Sequence, residues 1–104
     1  MNFLVAASVL VTAGCANSVY HYNIQHAYVA PAAGLSADDT EQIIRLVTEK
    51  SLRMIISITR DPDENKVVVS AANGDEGLMV YDLEKGADGE WRIVHYDQGS
   101  PTVL

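Results

Sequence analysis

Apolar and polar positions follow three different rhythms along this chain. Residues 3–16, FLVAASVLVTAGCA, form an apolar run without a charge or a proline. A helix that crosses a hydrocarbon core takes roughly 20 apolar residues, so this run is too short and instead fits the apolar region of an export signal. Residues 17–34, NSVYHYNIQHAYVAPAAG, keep no clean period. Tyr20, Tyr22 and Tyr28 alternate with polar neighbours near the start, which allows a short strand over 19–24. The Ala30-Pro31-Ala32-Ala33-Gly34 stretch then breaks any element and reads as linker.

From Ser36 the rhythm is helical. Ser36 can cap the free amide three residues on, Asp39 can reach back, and Asp38 and Asp39 both sit at the positive end of the helix dipole. Ile43, Ile44, Leu46 and Val47 share one face, and Glu41 and Arg45 pair outside at i, i+4. The helix is expected to end near Lys50 or Ser51. Beyond it the period drops to two. Leu52, Met54, Ile56 and Ile58 alternate with Arg53, Ser57 and Thr59, which predicts a strand with one buried face.

Three further strands follow, separated by turns. Asp61-Pro62-Asp63-Glu64-Asn65 is a turn, residues 66–72 (KVVVSAA) a β-branched strand, and Asn73-Gly74-Asp75-Glu76-Gly77 a reversal. Residues 78–84 give a third strand with Met79, Tyr81 and Leu83 on one face. Asp88-Gly89 is a hairpin signal, and residues 91–96 are the fourth strand. The expected fold is α+β, one helix packed on a four-stranded antiparallel meander over residues 36–104. A tether over 15–35 and an export signal over 1–14 precede it.

Charge narrows the partners. Fourteen Asp and Glu against seven Lys and Arg leave a net charge of −7 in 104 residues. Such a field repels phosphate backbones and anionic headgroups alike, so nucleic acid is excluded as a partner and membrane attachment must rest on apolar chemistry. A single cysteine, Cys15, rules out an internal disulfide and a thiolate zinc cluster.

The apolar run ends in Thr12-Ala13-Gly14-Cys15. This resembles the lipobox of bacterial lipoprotein precursors, in which small residues precede the lipidated cysteine. Thr12 stands where the family prefers leucine, and no Lys or Arg precedes the run. The resemblance implies cleavage before Cys15, a thioether-linked diacylglycerol on its sulfur and acylation (commonly palmitate) of the new terminus. Each buried methylene contributes about 0.8 kcal/mol, so two or three chains hold stably where one does not. Ala16 is not the aspartate that favours inner-membrane retention in the enteric family, which leans towards the outer membrane. The competing readings are a plain signal peptide or an uncleaved segment with a buried Cys15.

The candidate chemistry is thin. Asp61, Asp63 and Asn65 open like a calcium loop, but Lys66 replaces its glycine and Ala72 its bidentate glutamate. His21 and His26 have neither helix-face nor chelating-turn spacing, so no metal is expected. On an extended strand Trp91, Ile93, His95 and Asp97 face one way and Arg92, Val94 and Tyr96 the other. With Trp91 and Ile93 inward, His95 and Asp97 lie at the mouth of the sheet beside Tyr81, where a histidine with a carboxylate could serve as general base. No serine nucleophile arrangement or phosphate-binding glycine loop accompanies them. Gly89-Glu90-Trp91-Arg92-Ile93-Val94 and the elements before it resemble the ends of small NTF2-like or cystatin-like secreted domains, and helix-then-hairpins is also similar to PepSY-like domains. Neither likeness implies a functional residue here.

The functional expectation is a non-catalytic interaction module of the cell envelope, without cofactor, that binds a protein or peptide. Its site is expected on the sheet face opposite the helix, with Arg53, Ile55, Val68 and Val80, flanked by Tyr81 and His95. Replacing Ile55 and Val80 together with aspartate is expected to abolish binding and spare the fold. The alternative is a small-ligand or hydrolytic pocket between helix and sheet built from His95, Tyr81 and Asp97. A third class is a structural tether or an inhibitor of an envelope enzyme.

Overall fold

The computed structural model describes residues 17–61, 66–73 and 77–99. The export-signal run, Cys15 and the calcium-like turn beyond Asp61 lie outside the described residues.

The fold is α+β, with two α-helices and a five-stranded mixed sheet among the described residues. Residues 17–26 are helical (α1), followed by the two-residue strand β1, Tyr28–Val29, and a 3-10 turn over Pro31–Ala33. Helix α2 spans Ala37–Ser51. Strands β2 (Ile55–Asp61), β3 (Lys66–Ala72), β4 (Leu78–Lys85) and β5 (Trp91–Gly99) follow in spatial as well as chain order. The antiparallel meander is therefore as expected, while β1 adds a parallel edge strand, with Tyr28 opposite Ser57 and Val29 opposite Ile58.

Residues 17–35 are not a tether. Helix α1 turns Tyr20 and Asn23 inward, and Tyr20 and, just past the helix, Ala27 pack on the core. Asn23 is fully buried; its amide donates to the Thr48 hydroxyl and the Arg53 carbonyl, both at 3.0 Å, and its oxygen accepts the Ile55 N–H at 2.8 Å. A side chain thus continues the hydrogen bonding of the β2 edge where β1 does not reach. The 3-10 turn is tied down by Arg60, whose guanidinium donates to the Ala33 carbonyl at 3.2 Å. The alternation of Tyr20, Tyr22 and Tyr28 does not mark α1, because of the three only Tyr20 packs on the core while Tyr22 and Tyr28 are exposed.

Helix α2 begins as its sequence predicts. The Ser36 hydroxyl accepts the Asp39 N–H at 3.0 Å, and the helix stops at Ser51. Leu52 closes it in the left-handed region, φ 53°, and its N–H donates to the Thr48 carbonyl. Leu52 is accordingly an exposed helix cap and not the first inward residue of a strand.

The core lies between α2 and one face of the sheet. Ile43, Ile44 and Val47 meet Ile55, Ile58, Val67, Val69, Ala71, Tyr81, Leu83 and Trp91. Two bulges decide which strand residues join it. Between Ile55 and Ser57 the register with β3 advances by one residue while β2 advances by two. The extra residue is Ile56, so Ile55 and Ile58 both turn inward, and Met54 and Ile56 are exposed instead of buried. The second bulge falls in β5, where Asp82 opposes His95 but Leu83 opposes Ile93, leaving Val94 extra.

The β4–β5 hairpin uses the expected glycine. The Gly89 N–H donates to the Gly86 carbonyl at 3.0 Å, and Gly89 adopts φ 85°. At the start of β5, beside this turn, Trp91 is fixed to the start of α2. Its indole N–H donates to Asp39 at 3.0 Å and its backbone N–H to the Gln42 side chain at 2.6 Å.

Candidate functional site

The register assigns every strand residue to one of two faces. Tyr28, Ser57, Ser70, Val80 and Asp97 form one row across the open face, and Thr59, Val68, Asp82 and His95 the next. None of these residues is buried. Of the residues expected at a binding surface, Val68, Val80 and His95 lie here.

Ile55 and Tyr81 do not. Ile55 is 3% exposed and Tyr81 1%, both within the core against α2. The Ile55/Ser57 bulge is the reason for the first, since it shifts the inward phase of β2 by one residue. Tyr81 is inward by its unbroken alternation with Met79 and Leu83, and its hydroxyl hydrogen-bonds Ser51 of α2. Arg53 precedes β2, and its guanidinium donates to the Ala72 carbonyl at 3.4 Å. The double aspartate replacement of Ile55 and Val80 would therefore bury a charge and cannot leave the fold intact.

The catalytic alternative fails on the second bulge. Val94 is the extra residue, so Trp91 and Ile93 face α2 while His95 and Asp97 face away from it. His95 and Asp97 are thus separated by the thickness of the sheet from Tyr81. The space between helix and sheet that would form the pocket is filled by side chains that are almost wholly buried. On the open face the exposed His95 Nδ1 stands 3.6 Å from a carboxylate oxygen of half-buried Asp82. Among the described residues no cluster of three or more His, Cys, Asp or Glu is placed to bind a metal ion.

Beside these features runs a groove of about 410 Å³ between α1 and α2, lined by Asn17, Tyr20, His21, Arg45, Thr48 and Glu49. Tyr20 organises it. The Arg45 guanidinium lies 5.2 Å from the Tyr20 ring centroid, and the Tyr20 hydroxyl donates to Glu41 at 3.4 Å. The expected Glu41–Arg45 pair is therefore interleaved with a tyrosine from α1, through contacts between residues 21 and 25 positions apart in the chain. The aromatic rings at the sheet's other end are also structural: Tyr96 stacks on Tyr81 at 6.2 Å, and the Lys50 ammonium caps Tyr96 at 4.6 Å.

Among the described residues four groups depart from their ordinary range: the carboxyls of Asp39 and Asp88 are lowered, and the guanidiniums of Arg45, beside the Tyr20 hydroxyl, and Arg92, beside Asp88, are raised. The Trp91 indole N–H holds the Asp39 carboxyl below its usual range, with Lys85 and Ser36 adding to the effect and partial burial opposing it. The Arg92 guanidinium does the same for Asp88, 2.6 Å away in an exposed pair over the β4–β5 hairpin. Both carboxylates brace the fold, and neither belongs to a cleft with a reactive neighbour. The chain matches no protein-family model, no curated protein and no solved structure.

Proposed function

We propose that this chain is an envelope lipoprotein, held to the outer membrane by lipid on Cys15, whose domain binds a protein or peptide on the open face of its sheet and performs no reaction. The anchor is supported by the Thr12-Ala13-Gly14-Cys15 ending of the apolar run. No helix among the described residues is long and apolar enough to cross a membrane.

The observation that carries the binding reading is the asymmetry of the sheet. Its inner face is packed against α2, while its outer face presents half-buried Val68 and Val80 among Tyr28, Ser57, Asp82, His95 and Asp97. That mixture of apolar centre and polar rim is the composition of transient interfaces. Tyr28 is 60% exposed, an aromatic of the kind that supplies binding energy when covered.

The test is photo-crosslinking in intact cells with a benzophenone amino acid at Val80, compared with one at Glu49 on α2. A discrete heavier adduct from Val80 alone supports the surface. Equal adducts from both positions, or none from Val80, defeat it. Intact mass of the membrane-extracted protein tests the anchor independently: a chain beginning at a diacylglyceryl Cys15 supports it, and an unmodified Cys15 overturns it.

A further inference from the structure

The carboxylates and cations of this chain are distributed with a sharp boundary. No Asp, Glu, Lys or Arg occurs before Asp38; every one of the fourteen acids lies between Asp38 and Asp97. Helix α1 is thus without formal charge apart from its two histidines, on a body that is otherwise acidic. Its outward residues include His21, Tyr22, Ile24, Gln25 and His26, all exposed, with Tyr22 and Ile24 at 44% and 40%. Tyr22 and His26 pack their rings at 4.4 Å one turn apart.

We infer that this outward surface of α1 lies against the lipid headgroups of the membrane that carries the anchor. The inference rests on the lipoprotein reading. Only Ala16 separates Cys15 from residue 17, where α1 is already helical, and a chain spans at most about 3.6 Å per residue step, so the slack is no more than about 7 Å. Asn23, buried two turns into α1, locks the helix into the domain. The body therefore has no spacer on which to stand clear of the bilayer, and some surface next to α1 must meet it.

Charge and side-chain chemistry select which surface. Anionic headgroups repel the carboxylate-bearing faces, and the face of α1 is the one adjoining the anchor that carries none. Tyrosine and histidine present an apolar ring with a polar edge, the character that favours the headgroup layer, and Ile24 adds an aliphatic contact. In this orientation the acidic sheet points away from the membrane.

The experiment uses the full-length, membrane-extracted protein in vesicles of phosphatidylethanolamine and phosphatidylglycerol containing a headgroup-nitroxide lipid. Ile24→Cys and Val94→Cys, both exposed positions, are labelled separately with one fluorophore, Cys15 being blocked by its lipid. A surface in the headgroup layer lies at the depth of the quencher, so position 24 is expected to be quenched about threefold more than position 94. Equal quenching, or stronger quenching at 94, overturns the orientation while leaving a lipidated Cys15 in place. Intact mass on the same samples separates the two failures, since an unmodified Cys15 overturns the anchor and the orientation together.

Discussion

The side-chain oxygen of Asn23 accepts the N–H of Ile55 at 2.8 Å, joining a helix near the start of the chain to the first residue of β2. The same amide donates to Thr48 and to the Arg53 carbonyl, so one side chain ties α1, α2 and the sheet edge together. Few neutral side chains offer two donors and an acceptor in so small a volume.

Asn23→Ala removes these bonds and leaves the Ile55 amide without a partner in a buried setting. The expected loss is about 2–3 kcal/mol. Urea denaturation followed by Trp91 fluorescence measures it. A midpoint unchanged from the parent would mean that α1 is not integral to the domain.

Asp39 gives stability a defined pH dependence. Its carboxyl titrates below the unfolded value of about 3.9, so its contribution is complete above that value and is lost as pH falls through the lower folded value. Asp39→Asn is expected to weaken the domain by about 1 kcal/mol at neutral pH, with the loss shrinking in acid. Denaturation midpoints of both proteins at about pH 6 and about pH 3 test the sign: a gap that widens in acid refutes it.

Two left-handed positions favour glycine alike, so opposite exchanges at them shift stability in opposite directions. Leu52 carries a side chain at φ 53°, which costs about 1–2 kcal/mol, and Leu52→Gly is expected to recover about 0.5 kcal/mol after the added chain entropy. Gly89 at φ 85° already has the permissive residue, and Gly89→Ala is expected to cost about 1 kcal/mol. Thermal melts should move up for the first and down for the second.

The two faces of the sheet predict contrasting tolerance. Ile55→Ala opens a cavity in the core and is expected to cost about 2–5 kcal/mol. Val80→Lys places a cation between Ser70 and Asp97 on the open face and is expected to change stability by less than about 1 kcal/mol. A collapse of the Val80→Lys protein would show that the outer face is covered in the native state.

Much of this architecture was legible in local patterns. Ser36, the Ile43–Val47 face, the β-branched KVVVSAA run and Asp88-Gly89 each encode their element through contacts a few residues away, and helix α2, strands β3 and β4 and the last hairpin lie where those patterns put them. The acidic charge and the lone cysteine likewise belong to the sequence alone.

Tertiary structure decided the rest, because it turns on single-residue shifts and on distant partners. Alternation has a period of two, so one extra residue at Ile56 or Val94 reverses every side chain beyond it. That reversal is what buries Ile55 and parts His95 and Asp97 from Tyr81. Helix α1 has no strong amphipathic signal of its own, since its one fully buried side chain is a polar asparagine whose partners lie 25 to 32 residues away. Hydrogen bonds over that span leave no periodic trace in the letters, and only the folded chain brings them together.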